Sequence, residues 1–84
     1  MTEGDRIFAQ VRRLLAKYNP EGRPVTADTD LGADLSIDSV AAMDLVMEIE
    51  DHFDIDIPIN LVADLRTAGD LVELVRHQLE ERSR

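Results

Sequence analysis

The residues "DLSIDSVAAMDLVMEIEDHF", Asp34 to Phe53, decide how this chain folds. From Ser39 onward, Ala42, Leu45, Val46, Ile49 and Phe53 recur at three- and four-residue intervals. That spacing makes one face of an amphipathic helix, not the alternation of a strand. Asp38 stands just ahead, where a carboxylate accepts from the first backbone N–H groups and suits the positive helix end. Ser39 is then surplus to capping and exposed in the first turn. Val40, Met43 and Met47 are surplus too. They fall off the core stripe at i, i+3, i+7 and form a second apolar line, with Asp44, Glu48 and Asp51 alongside. Methionine adapts its shape to several partners, which favours a docking face. A broadened core stripe explains the same spacing, and periodicity leaves both readings open.

Working outward, two more helices have the same character. Ile7, Phe8, Val11, Leu14, Leu15 and Tyr18 predict a helix from about Glu3 to Tyr18. Thr2 with Asp5 resembles a capping box, and Asn19-Pro20 stops the helix. Ala68, Leu71, Val72, Val75 and Leu79, with Leu74 beside them, predict a last helix capped by Thr67, with Asp70 at the capping-box position. Asn60 is placed to cap a short helix at Leu61–Leu65 after the Ile57-Pro58-Ile59 turn. Residues 19–38 read as a long connection broken by Pro20, Gly22 and Pro24, pinned by Leu31 and Leu35. Loops of this length inside a small domain are often functional. The expectation is an all-α, four-helix bundle: three longer helices, one short one, and a long loop between the first two, as one domain over residues 1–84.

Bulk composition narrows the function. The chain of 84 residues has no cysteine, so it holds neither disulfides nor thiolate metal sites. No apolar run approaches the roughly 20 residues of a membrane span. The charged N-terminus does not read as a signal peptide, so the expected setting is the cytoplasm. The net charge is −9, and its segregation says more. Residues 1–27 carry five bases and three acids; residues 28–64 carry eleven acids and no Lys or Arg; residues 65–84 carry four of each. A field of that sign repels nucleic acid and anionic membranes and attracts basic protein surfaces.

The sequence around Ser39 carries a resemblance. Asp34-Leu35-Ser36-Ile37-Asp38-Ser39-Val40 resembles the D-L-G-x-D-S-L signature of acyl and peptidyl carrier proteins. "MDLVMEIEDHFDIDIP" resembles their second helix and following turn, and "RTAGDLVELV" the start of their last helix, all in order between Thr26 and Val75. The resemblance implies a discrete bacterial-type carrier, not an enzyme. It implies 4′-phosphopantetheine, taken from coenzyme A by a phosphopantetheinyl transferase and joined to Ser39 by a phosphodiester. The thiol then belongs to the cofactor, which suits a chain without cysteine. Asp38 would position the transferase and its metal. Val40, Met43, Asp44, Met47, Glu48 and Asp51 would meet lipid-synthesis enzymes with basic docking surfaces. Leu45, Val46, Ile49 and Ile59 would line a cavity for the acyl chain. A monomer that neither enters membranes nor binds a resident metal is expected.

Two departures bear on the pathway. Ser36 stands where the family has glycine, which permits backbone angles that serine adopts only at a cost. Ala41 stands where many fatty-acid carriers have an acid. Fatty-acid biosynthesis is the default implied. A dedicated carrier for a specialised lipid, such as a sphingolipid-type or lipid A chain, is the rival, with polyketide or peptide carriers behind it. Other classes fare worse. A serine hydrolase needs a base beside Ser39, but His52 lies roughly 20 Å along the same helix, and no G-x-S-x-G is present. His77 is expected at the surface, like His52. An EF-hand at Asp28-Asp30 fails because Gly32 falls at position 5 rather than 6. A plain helical interaction domain would make Ser39 only a helix-start residue.

Overall fold

A computed structural model describes residues 2–82 of the chain; Met1, Ser83 and Arg84, the ends of the expected 1–84 domain, lie outside the described residues. The elements are α1 (Glu3–Leu15), a 3₁₀ turn (Ala16–Tyr18), α2 (Ser39–Phe53), α3 (Ile59–Val62) and α4 (Ala68–Arg82). The fold is all-α, with three long helices and one short one. Each long helix starts where its cap dictates. Thr2 and Asp5 exchange bonds in a capping box. Thr67 and Asp70 do the same ahead of α4, at 3.1 Å in both directions. Asp38 accepts from the Ala41 N–H at 2.8 Å to open α2.

The three inner stripes meet in one core. Ile7, Val11 and Leu15 of α1 pack with Leu45, Val46 and Ile49 of α2 and Ala68, Leu71, Val72 and Val75 of α4. α1 lies chiefly against α4. Burying side chains of this size contributes roughly 1.5–3 kcal/mol each before the entropy of ordering them is subtracted. Leu31, Leu35 and Ile37 enter the same core from the loop, as the two leucines were expected to.

Three local expectations need correction. The first helix does not stay α-helical to Tyr18; its last turn tightens to 3₁₀ from Ala16, as helix ends often do. The short helix is Ile59–Val62, not Leu61–Leu65, and Asn60 does not cap it. Pro58 precedes it instead, with φ −59° and ψ 139°. Its fixed φ sets the entry without any side-chain cap. The long connection is also more ordered than its composition implies. Residues 31–35 form turns in which the Asp34 N–H bonds Asp30 O and the Ser36 N–H bonds Gly32 O. Asp30 and Thr67 form an antiparallel bridge, through Leu31 N–H to Arg66 O (2.8 Å) and Ala68 N–H to Thr29 O (2.9 Å). The loop is thereby tied to the start of α4 while its other end feeds α2.

Candidate functional site

Ser39 is the first residue of α2 and is exposed. Its hydroxyl makes no hydrogen bond to any described residue. The capping work is done by Asp38 Oδ1, so the serine oxygen is uncommitted. The first N–H groups of the helix precede the intrahelical ladder and favour an anionic group there.

The approach to Ser39 is fixed by the loop. Asp30 Oδ1 accepts from the Gly32 and Ala33 N–H groups at 2.9 and 2.7 Å. Asp34 Oδ2 accepts from the Asp30 N–H at 2.8 Å. Ser36 then takes φ +56°, in the left-handed region. The loop therefore keeps the conformation that glycine would supply, and serine bears its cost. From there Ile37 turns into the core and Asp38 reaches the helix.

Ser39 stands on the rim of a cavity of about 460 Å³. Leu31, Ile37, Leu45, Val46, Val62 and Leu65 contribute to its apolar lining. Asp30, Asp38 and Arg66 are the charged residues lining it. Of the four residues expected to line a cavity, Leu45, Val46 and Ile59 do so. Ile49 does not: it lies fully covered in the core between the helices, 0 % exposed. Gly32, Val62 and Arg66 line the same space without having been anticipated. They come from the loop and the α3–α4 segment, and periodicity carries no signal of which segments will meet.

The second apolar line is not core. Val40 is 80 %, Met43 40 % and Met47 59 % exposed, and Ile59 extends the apolar surface at 71 %. Leaving four large side chains wet forfeits burial that the fold elsewhere exploits. Asp44 and Asp51 are exposed and Glu48 half-buried. Asp44 and Glu48 both meet Lys17 of the 3₁₀ turn after α1: the ammonium bonds Glu48 and lies 3.6 Å from Asp44 Oδ2. The bond to Glu48 is the main reason the Lys17 ammonium titrates above its ordinary range. Burial raises the Tyr18 phenol beside it. Ala41 is half-buried against the core. His52 and His77 are exposed, as expected, and His52 bonds Gln10 of α1.

Residues 6–75 match the family pattern described as a phosphopantetheine attachment site. An acyl carrier protein of Exiguobacterium sibiricum is 34% identical over 76 residues, which cover 89% of this chain and 96% of that one. This chain belongs to the acyl carrier protein family. A "Probable acyl carrier protein" of Caulobacter vibrioides is 49% identical over 51 residues, spanning 61% of this chain and 59% of that protein. The crystal structure of an acyl carrier protein from Thermotoga maritima superposes with a TM-score of 0.81 at 26% identity, covering 95% of this chain and 94% of that one. The protein is thus a carrier rather than an enzyme, and its cofactor is phosphopantetheine. The site suits such a group: an uncommitted serine oxygen at a helix N-terminus, beside an apolar cavity. No described helix is long and apolar enough to cross a membrane, and no cluster of metal-binding side chains occurs among the described residues.

Proposed function

We propose that Ser39 is the attachment residue and that the carrier delivers acyl thioesters to enzymes of fatty-acid or related lipid biosynthesis. The observation that supports this most is the state of Ser39, exposed, unbonded and on the rim of the cavity. Its Oγ forms the phosphodiester bond to the arm and gives up its proton to the transferase, while the nucleotide half of coenzyme A leaves. The cofactor supplies a terminal thiol that holds the acyl group. Asp38 keeps Oδ2 free of bonds to the described residues while Oδ1 caps the helix, so the transferase and its metal have a carboxylate oxygen to meet. Leu45, Val46 and Ile59 receive the acyl chain in a cavity within the size range of small-molecule sites. Val40, Met43 and Met47, with Asp44, Glu48 and Asp51, meet partner enzymes. Charges on the rim of such a face mainly set encounter rate and choice of partner.

Purified protein incubated with coenzyme A and a broad-specificity phosphopantetheinyl transferase gains the mass of one phosphopantetheine, and Ser39→Ala gains none. No gain in the native chain, or an equal gain in the variant, refutes the assignment. A second reading, a carrier dedicated to a specialised lipid, is favoured by Ala41. It places a half-buried methyl where many fatty-acid carriers present an acid. The acyl group on protein isolated from its native cell separates the two: ordinary fatty-acid intermediates support the first, a single unusual chain the second.

A further inference from the structure

Residues 28–64 hold eleven acids and no Lys or Arg, yet the fold delivers a lysine to the middle of them. Lys17 sits in the 3₁₀ turn after α1. Its ammonium lies over the Tyr18 ring, 5.4 Å from the centroid, and bridges Asp44 and Glu48 on α2. Those carboxylates accompany Met43 and Met47, the centre of the exposed apolar line. The bridge spans 31 residues of sequence, so no helical i, i+4 rule imposes it.

We propose that Lys17 is an internal competitor for docking: it occupies Asp44 and Glu48, and a basic partner must displace it to dock on α2. The proposal rests on α2 being the docking face. The side chains of Lys17, Asp44 and Glu48 are 52 %, 63 % and 35 % exposed, so the pairs exchange with solvent and do not lock the face. They halve the local charge that a partner senses, from two negative charges to one. Like other exposed charges, they act on encounter rate and fade with salt. A purely structural strut between α1 and α2 would behave differently: its loss would lower the melting temperature and leave docking kinetics alone.

The test uses apo protein as substrate for a phosphopantetheinyl transferase, read by mass at low and high salt. Lys17→Gln raises kcat/KM roughly two- to five-fold at low ionic strength with kcat unchanged, as removal of one opposing charge from a steered encounter should. The gain disappears at about 0.5 M salt, where the screening length falls to a few ångströms. Lys17→Arg keeps the native value. In the Asp44→Asn, Glu48→Gln background, Lys17→Gln brings no gain. Native protein that loads normally, with a Lys17→Gln variant no faster at low salt or faster at all salts, overturns the competitor role alone. Native protein that does not load overturns the carrier reading beneath it.

Discussion

At the scale of single residues, the loop before Ser39 turns on Ser36. Its φ of +56° is a region where a β-carbon is crowded, and its side chain makes no compensating bond to any described residue. Ser36→Gly relieves that crowding but frees the unfolded chain, so the gain is the smaller difference, about 0.5 kcal/mol. Ser36→Val puts a branched carbon in the same place and costs about 1–3 kcal/mol. Urea midpoints of the three proteins should rank glycine, serine, valine from most to least stable. A glycine variant weaker than the native protein would mean that the serine side chain supports the turn. This strain was legible in the sequence, because serine stands where related carriers have glycine. The division of labour between Asp38 and Ser39 was legible as well, since capping chemistry is local. The Lys17 bridge was not: nothing in a sequence links a residue after one helix to two carboxylates in the next.

At the scale of elements, the three long helices were readable because apolar period and caps agreed, whereas the short one has no side-chain cap to mark its start. In the connection between α1 and α2 the apolar anchors were readable, but its tie to α4 was not, because that rests on one bridge and one close approach. Gly69, in the first turn of α4, donates its N–H to Ala27 O at 2.9 Å. A β-carbon there would also stand 2.9 Å from that oxygen, a backbone atom that cannot swing away. Helix propensity favours alanine at this position by about 1 kcal/mol. The overlap costs about 1–3 kcal/mol, so contact outweighs propensity. Gly69→Ala is therefore destabilising, and amide exchange should quicken at Leu31 and Ala68, whose N–H groups make the bonds between loop and helix start. A more stable variant would show that the loop yields. The same helix start carries a pH dependence. Hydrogen bonds, first from the Thr67 N–H, lower the pKa of the Asp70 carboxyl. The unfolded chain then binds this proton more readily, so the stabilisation is present above the ordinary carboxylate pKa, near 4, and is lost as pH falls further. Asp70→Asn should lower the urea midpoint at pH 7, with a gap to the native protein that narrows by pH 3. A gap of constant width would mean the capping carboxylate is replaceable by its amide.

At the scale of the whole molecule, the cavity and the charge have different origins. The cavity lies between segments that meet only on folding, which is why the family resemblance anticipated it and the helical period alone did not. The charge was plain in the sequence, and the fold does little to cancel it. With 18 acids against 9 Lys and Arg, at least half of the carboxylates have no basic side chain of their own. The ion pairs among the described residues, including Arg82 with Asp54 at 2.8 Å and Arg76 between Glu73 and Glu80, lie on exposed or half-buried side chains and are individually weak. Self-repulsion of the acidic middle therefore outweighs attraction, and it opposes the compact state. Salt screens both, but it removes more repulsion than attraction. Raising potassium chloride from about 10 to 200 mM shrinks the screening length from about 30 to below 10 Å. The melting temperature should climb by several degrees, equivalent to about 1 kcal/mol for a domain of this size. Neutralising the acidic segment should imitate the salt: Asp51→Asn, away from the Lys17 bridge, should raise the low-salt melting temperature and flatten its salt dependence. A melting temperature that falls as salt is added would show instead that the few ion pairs, not the unpaired carboxylates, govern the electrostatics of the fold.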